Sequence, residues 1–300
     1  MEKKSSLSSS LLLFLAAFIW GVAFVAQSVG MEYMGPCTFN GARFLIGSAV
    51  LVPFIWFQDK KKKGSAEESA GSGRTLRIGG ICCGTALCAA SIFQQIGIQY
   101  TTVGKAGFIT TLYIIIVPIL GIFMKKKIGG RIWFGAVIAV AGMYLLCVAE
   151  SFSISRGDFF VLICAFLFSA HILVVDYFSP RTDSVKLSCM QFLVSGIICT
   201  VLAFIFEEPN FSALAAGAVP VLYAGVLSCG VAYTLQVVGQ KNVEPTIASM
   251  LLSMESVISV LAGWVILGQK LTAKELAGCV LVFAAVILVQ LPNPKAMHEK

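Results

Sequence analysis

The sequence predicts an all-α integral membrane protein with about ten transmembrane helices, arranged as two inverted repeats of five helices, with both termini in the cytoplasm. Three observations lead to this fold class. Apolar residues make up 58% of the 300-residue chain and charged residues 12%, half of the roughly 25% that a soluble domain carries. The apolar residues are gathered into long runs, and the two halves of the chain resemble each other. Most of the surface must therefore face lipid rather than water.

Ten apolar runs have about the 20 residues that a helix needs to cross a bilayer core roughly 30 Å thick. They cover residues 8–29, 36–57, 78–98, 103–124, 131–149, 158–178, 186–206, 216–238, 246–267 and 272–291. The first run exceeds the apolar core of a signal peptide, about 7–15 residues, so we predict that it is kept as the first span. One long connection, residues 58–77, is rich in Gly, Ser and charged residues and is predicted to be a solvated loop.

Lysine and arginine residues set the predicted orientation, because short cytoplasmic loops carry an excess of them. With the N-terminus in the cytoplasm, the inner loops carry the basic clusters at 3–4, 60–63 and 125–127, whereas the outer loops carry isolated cations such as Arg156. An even number of spans then returns the C-terminus to the cytoplasm. The net charge of +7 lies in short clusters without a continuous basic face, so no nucleic-acid partner is expected.

Weak internal matches divide the chain into halves. The segment "RFLIGSAV" at 43–50 in the second span matches "QFLVSGII" at 191–198 in the seventh, and a second match relates the fifth span to the tenth. We therefore predict one five-helix repeat in residues 1–150 and another in residues 151–300. Five spans per repeat force the halves to enter the membrane in opposite directions. This arrangement is typical of transporters with a site near the membrane midplane.

The ten cysteine residues lie in or beside the apolar runs, and none forms a C-x-x-C pair. Since no histidine cluster lies near them, we expect reduced thiols that pack between helices, and no metal site. No phosphate-binding P-loop occurs in the sequence, so no cofactor is expected, and transport would draw its energy from a gradient. The expected partners are the lipid bilayer and a small-molecule substrate.

Two charged residues within the predicted spans are the leading candidates for a substrate site. Glu255 lies near the middle of the ninth span, and Arg43 lies within the second. A carboxylate removed from water must pair with a cation or take up a proton. Glu255 is therefore predicted either to carry protons or to form a structural pair with Arg43 or Lys105. Arg43 stays charged, and it either binds a substrate carboxylate or joins the two halves through Glu255.

The sixth span contains "HILVVD" at 171–176, a spacing that some acyltransferases use for a general base and its orienting carboxylate. Five residues along a helix turn the second side chain about 140° from the first, so Asp176 cannot orient the ring of His171. A membrane-embedded enzyme is therefore the least favoured alternative. His171 is predicted either to line a cavity, where it is a second candidate for proton coupling, or to make a packing hydrogen bond.

Five further side chains bring polar atoms or aromatic faces into the membrane and are candidates to line a cavity. They are Trp20, Gln94, Gln95, Tyr113 and Tyr233. Trp20 lies at mid-membrane depth, where its indole N–H requires an acceptor. Pro118 is predicted to break the fourth span locally.

Four segments, in order, resemble the EamA-type members of the drug/metabolite transporter superfamily. They are Trp20 with Gly21, "ARF" at 42–44, "GIQYTTVGKAGFIT" at 97–110 and "SMESVISVLAGWVILGQKLT" at 253–272. The resemblance covers nearly the whole chain. It implies a ten-helix inverted-repeat carrier of small metabolites, often acting outward, with a central cavity lined by the first, third, fourth, sixth, eighth and ninth spans. The family's proline after the ninth-span glutamate is Ser256 here, which removes the usual cause of a kink, and its frequent glutamate after Leu-Gly is Gln269.

The residues and the resemblance together predict a secondary transporter of the cell membrane. We expect it to export a small metabolite such as an amino acid, by proton antiport through Glu255 or His171. Arg43 and Glu255 would bind the carboxylate and the amine of such a substrate. An exporter of hydrophobic drugs or cations is the main alternative, and an arginine that faces the cavity would disfavour it.

Overall fold

A computed structural model of the chain describes residues 2–62, 70–123, 129–147, 155–268 and 272–290. Throughout these ranges the backbone is helical or forms short turns, and they contain no strand. Within these ranges, eight helical stretches are long and apolar enough to cross a membrane. The predicted class, an all-α multi-pass membrane protein, is therefore confirmed.

The helices follow the chain in a simple order. The described residues of the first half form α1 (Glu2–Gly30), α2 (Pro36–Lys62), α3 (Ala70–Ile98), α4 (Val103–Thr110), α5 (Tyr113–Phe123) and α6 (Gly130–Cys147). Those of the second half form α7 (Arg156–Phe178), α8 (Ser184–Phe206), α9 (Phe211–Ala216), α10 (Ala218–Leu222), α11 (Thr234–Gln240), α12 (Pro245–Leu252), α13 (Met254–Leu267) and α14 (Ala273–Gln290). A 3₁₀ turn, Ser179–Arg181, follows α7, and a π-helical segment, Tyr223–Tyr233, joins α10 to α11.

The fifth and tenth predicted spans contain α6 and α14. The apolar parts of these helices that the structure describes, Gly130–Gly142 and Leu276–Leu288, are shorter than the other spans. A bilayer crossing needs about 20 residues. The count of ten spans therefore stays a prediction, as do the inverted repeat and the cytoplasmic position of both termini.

The loop predicted over residues 58–77 is wrong at both ends. α2 continues to Lys62, and α3 begins at Ala70. Lysine is a good helix former, so a run of lysines ends an apolar span without ending the helix. The basic cluster at 125–127 and Gln269 lie outside the described residues.

In the described part of the chain, two predicted spans are interrupted within α-helix, the fourth between α4 and α5 and the ninth between α12 and α13. The fourth is interrupted at Thr111 and not at Pro118, which lies inside α5. The Thr111 hydroxyl donates to the Phe108 carbonyl (2.8 Å), and the Ser253 hydroxyl donates to the Met250 carbonyl (2.7 Å). A hydroxyl bonded to a nearby carbonyl competes with the α-helical hydrogen bonds. The ninth span is interrupted even though the family's proline is absent.

The eighth span departs from regular α-helix over Tyr223–Tyr233, where the backbone is π-helical. In this geometry each N–H bonds the carbonyl five residues back, and such segments are frequent at functional sites. The segment packs against α1 and α2 of the first half. The sequence shows no sign of it, because its residues are ordinary for an apolar helix.

Helices α2 and α8 pack in opposite directions and are joined at both ends. At one end the Glu207 carboxylate accepts hydrogen bonds from the backbone N–H groups of Cys37 (2.7 Å) and Thr38 (2.8 Å) and from the Thr38 hydroxyl (2.6 Å). At the other end Lys186 Nζ lies 3.0 Å from Asp59 Oδ1. Glu207 thus places a negative charge on the free N–H groups at the start of α2. Both contacts join the first half of the chain to the second.

Glycines let helices of the two halves approach closely. A Cβ on Gly157, at the start of α7, would lie 2.7 Å from the carbonyl oxygen of Gly97 in α3. A Cβ on Gly21 in α1 would lie 2.3 Å from Cβ of Ile258 in α13. Close backbone approach at small residues is the usual way that helices pack in a bilayer. It draws these four helices around the buried centre between the halves.

Replacing Glu207 with Ala is expected to lower the free energy of unfolding of the detergent-solubilised protein by about 1–3 kcal/mol, because two backbone N–H groups lose a charged acceptor. The Cys37 thiol, buried in the intact protein, should then react faster with maleimide, as measured by mass spectrometry of its peptide. Glu208→Ala, at the exposed neighbouring position, is the matched control and should change neither quantity. Equal behaviour of the two variants would contradict the capping role of Glu207.

Candidate functional site

A cavity lies between the two halves. Its volume is about 450 Å³, counting its open mouth. It is lined by Trp20, Phe24, Gln27, Arg43, Gln94, Thr110, Tyr113, Phe168, Ile172, Ser228, Tyr233, Gln236, Leu252 and Glu255. These side chains come from the six spans that the resemblance implied and, through Arg43, from the second span as well. Six of the eight predicted site residues are among them, and Gln95 and His171 are not.

Arg43 is almost completely buried, with 1% of its surface exposed. Its Nη1 donates to Gln27 Oε1 (3.1 Å), and the guanidinium carbon lies 4.8 Å from the centre of the Phe44 ring. Its Nε and Nη2 have no hydrogen-bond partner, and no carboxylate in the described part of the chain lies within ion-pair distance of it. A buried guanidinium without a carboxylate is costly. Arg43 therefore has two donor nitrogen atoms without a partner among the described residues.

Glu255 lies in the first turn of α13, where the helix dipole favours a negative charge. The Tyr113 hydroxyl, from the first half, donates to Glu255 Oε1 (2.8 Å). Of the two cations considered as structural partners, Arg43 bonds Gln27, and Lys105 Nζ lies 3.9 Å from Asp158. The predicted structural pairs of Glu255 are thus absent among the described residues, and its side chain accepts a hydrogen bond from a neutral hydroxyl.

Trp20 and Tyr233 form an aromatic wall of the cavity. Their ring centres lie 4.5 Å apart, and the ring planes make an angle of 59°. The acceptor that the Trp20 indole N–H requires is the Ser228 carbonyl oxygen, 3.3 Å away. Phe24 and Phe168 extend the apolar lining. Apolar walls with a few convergent polar groups are typical of sites for small molecules.

The two adjacent glutamines of the third span point in different directions. Successive residues of an α-helix are about 100° apart around its axis, so both cannot face one cavity. Gln94 lines the cavity, and its Nε2 donates to Thr110 Oγ1 (3.2 Å). Gln95 is turned away, and its Nε2 donates to the Gln27 carbonyl oxygen (3.0 Å). Gln95 therefore supports the backbone of α1 next to the cavity.

His171 lies behind the cavity wall and is completely buried. Its Nε2 lies 3.0 Å from Gln191 Oε1. Its ring meets Tyr233 edge to face, with 6.1 Å between the ring centres. Of the two alternatives for His171, the geometry matches the packing hydrogen bond, and the partner is Gln191 rather than Asp176.

Two amide side chains at the cavity were not among the predicted site residues. Gln27 orients Arg43 through its side-chain oxygen. Gln236 lines the cavity, and its Oε1 has no hydrogen-bond partner among the residues that the structure describes. Both are amides inside apolar spans, which is the same signal that selected Gln94. Applied to every span, that signal would have found them.

The sequence profile described as the EamA-like transporter family matches residues 7–148 and, a second time, residues 155–291. The chain belongs to the EamA-like transporter family. As a member of that family it is a multi-pass membrane transporter, and the predicted resemblance is confirmed. The boundary predicted at residue 150 lies between the two matches.

Relatives of this EamA-like chain include two that are named as transporters. An uncharacterized transporter of Archaeoglobus fulgidus is 29% identical over 97% of this chain and 88% of its own. The uncharacterized transporter YoaV of Bacillus subtilis is 22% identical over 90% of this chain and 92% of its own. A chloroplastic WAT1-related protein of Arabidopsis thaliana is 21% identical over 92% of this chain and 68% of its own.

A crystal structure with 17% sequence identity superposes with a TM-score of 0.75 and covers 98% of this chain and 99% of its own. The EamA-like chain therefore shares its fold with a protein of known structure over almost its whole length. At this identity the likeness concerns the fold alone.

Proposed function

We propose that the protein exports a small zwitterionic metabolite, such as an amino acid, across the cell membrane. The observation that carries this proposal is the burial of Arg43 at the cavity without a carboxylate partner in the described part of the chain. Its two unpartnered nitrogen atoms, Nε and Nη2, form one edge of the planar guanidinium. Such an edge can bind both oxygen atoms of one carboxylate. A substrate carboxylate would supply the missing partner.

Glu255 is the proposed partner of the substrate amine. It lines the same cavity from the other half of the chain, and among the described residues it has no cationic partner. A zwitterion would compensate the charges of Arg43 and Glu255 together, which offsets the cost of removing all four groups from water. The apolar walls at Trp20 and Tyr233 would contact the rest of the substrate.

The two alternatives are less favoured for different reasons. An exporter of hydrophobic cations would have to place its substrate beside the positive charge of Arg43, and like charges in a buried site repel strongly. A membrane-embedded enzyme would need an acid–base pair at the cavity. His171 is hydrogen-bonded to Gln191 behind the wall, so it does not offer one.

Proton antiport is proposed to use Glu255 and not His171. Glu255 lines the cavity, where a proton and a substrate amine would compete for the same carboxylate. The Tyr113 hydroxyl, which donates to Glu255 Oε1, is a neutral neighbour of this carboxylate. Competition for one carboxylate is sufficient to couple outward movement of substrate to inward movement of protons.

Alternating access is proposed to follow from two inverted halves, with both termini in the cytoplasm. The support comes from the interrupted spans, which break at corresponding points of the two halves. Interrupted helices at matching positions are the usual sign of a binding site between inverted repeats. Each half would then open the cavity to one side of the membrane.

Proteoliposomes with the purified protein and an internal pH dye test the proposal. Separate pools of amino acids, polyamines, nucleosides and quaternary cations are added outside, and proton flux is recorded. We expect flux with the amino-acid pool and none with quaternary cations. Flux with quaternary cations alone would favour the cation exporter. Absence of flux with all pools, together with absence of counterflow of labelled amino acids, would overturn the proposed function.

A further inference from the structure

The hydrogen bond between Tyr113 and Glu255 joins the two halves at their interrupted spans. Tyr113 is the first residue of α5, and Glu255 is the second residue of α13, so each follows a break. The O–H to Oε1 distance is 2.8 Å. Both side chains are buried, with 3% and 5% of their surfaces exposed. A hydrogen bond between a hydroxyl and a carboxylate is one of the stronger kinds when buried.

The two residues occupy equivalent positions of the two halves. They are 142 residues apart. The same separation relates Val103 to Pro245, where α4 and α12 begin. It also relates Thr111 to Ser253, the two hydroxyl residues at the breaks. The register is therefore constant through both interrupted spans.

A contact between equivalent positions has a special property when two inverted halves exchange conformations. In the exchange, position 113 takes the place of position 255, and position 255 takes the place of position 113. The Tyr113–Glu255 contact therefore fits the inward-open and outward-open states equally. The contacts at the ends of α2 and α8 behave differently. Thr38 corresponds to Lys186 in the register of the second and seventh spans, and Asp59 corresponds to Glu207. The exchange therefore converts the contact at one end into the contact at the other.

We infer that Tyr113 is a positioning residue that holds the Glu255 carboxylate at a fixed point between the two halves in both the inward-open and the outward-open state. This inference rests on the inverted arrangement in the proposed function. It assigns to Tyr113 a role on the carboxylate rather than direct contact with substrate. By donating to the ionised carboxylate, Tyr113 keeps Glu255 ready for a cationic group.

Labelling of Glu255 with dicyclohexylcarbodiimide tests the positioning role without any substrate. This apolar reagent adds to protonated carboxyl groups in membranes, and mass spectrometry of the peptide containing residue 255 measures the extent. We expect Tyr113→Phe to be labelled about tenfold faster than the unmodified protein at neutral pH, because the ionised carboxylate loses its donor. Glu255→Gln should show no labelling of that peptide.

Tyr223→Phe is the matched control. The Tyr223 hydroxyl also makes a hydrogen bond across the halves, to the Ile19 carbonyl (3.2 Å), but it lies outside the cavity lining. Its loss should leave the labelling of Glu255 unchanged. Equal labelling rates in Tyr113→Phe and the unmodified protein would overturn the inference. So would equal acceleration in both tyrosine variants, since that would indicate a general loosening of the fold.

Two variant backgrounds test whether the Tyr113–Glu255 contact persists in both the inward-open and the outward-open state. Each background releases α2 from α8 at one end. Glu207→Ala removes the contact at one end, and Asp59→Ala removes the contact at the other. Addition of Tyr113→Phe should accelerate Glu255 labelling by the same factor in each background. If Tyr113→Phe no longer accelerated Glu255 labelling in one background, the contact would be broken in the state that this background favours. That result would overturn the inference. Absence of transport in the unmodified protein, with the labelling changes present, would count against the proposed function alone.

Discussion

Replacing Arg43 with Met is expected to abolish transport of amino acids and to leave the protein at least as stable as before. Loss of a two-point, charge-assisted contact with the substrate carboxylate should lower transport at subsaturating substrate by about 100-fold or more. Stability should be unchanged or higher by roughly 1–2 kcal/mol, because a buried charge without a carboxylate partner is removed. Met keeps apolar contact with the neighbouring Phe44 ring. Counterflow of labelled amino acid and thermal unfolding measure the two effects.

Arg131→Met provides the opposite control. The Arg131 side chain donates to the Leu288 carbonyl between α6 and α14, and it does not line the cavity. This variant should lose stability and retain transport. If Arg43→Met were instead strongly destabilised, Arg43 would be a structural residue. Normal transport by a stable Arg43→Met protein would remove the basis of the proposed function.

Replacing Glu255 with Gln is expected to separate proton coupling from exchange of substrate. The amide has the size of the carboxyl group, and its oxygen can still accept from Tyr113, but it cannot exchange a proton. Substrate-driven proton flux in proteoliposomes should fall by about 100-fold, since the flux requires a titrating group. Counterflow of labelled amino acid, which needs no net proton movement, should persist at higher substrate concentration.

Two variants make this result specific. Glu32→Gln changes an exposed carboxylate just after α1 and should leave proton flux unchanged. His171→Asn changes the buried imidazole behind Tyr233, and proton flux should persist. Loss of flux in His171→Asn with normal flux in Glu255→Gln would transfer the coupling role to His171. Normal flux in both would exclude proton antiport through either residue.

The sequence was sufficient for the fold class because the length and polarity of each run decide whether a helix lies in lipid. The sequence also predicted several of the residues that line the cavity, for a related reason. An ionisable or amide side chain in lipid is costly, so it turns toward the interior, and Arg43, Gln94 and Glu255 all do so. The same reasoning could not decide between neighbours such as Gln94 and Gln95, because polarity does not tell how a helix is rotated about its axis.

Partners and helix breaks were harder to predict, because both depend on small differences between competing hydrogen bonds. Charge complementarity made a pair between Arg43 and Glu255 one of the two alternatives, yet each has a neutral partner, Gln27 and Tyr113. Pro118 was expected to break the fourth span, yet the break lies at Thr111. A proline costs an α-helix a single hydrogen bond and a local clash. The position of a break also depends on packing against other helices, which the sequence of one span does not contain.

The π-helical geometry of the eighth span makes its length more critical than its composition. Ser228 and Tyr233 both line the cavity although five residues separate them. In an α-helix they would point about 140° apart, whereas the wider π-helical turn brings them closer to the same side. Deletion of one residue within Tyr223–Tyr233 would favour a return to α-helix, whose larger rotation per residue changes which side chains of the segment share a face. Evolution can therefore alter this wall one side chain at a time by substitution, but a single-codon deletion would present a different face of the span to the cavity.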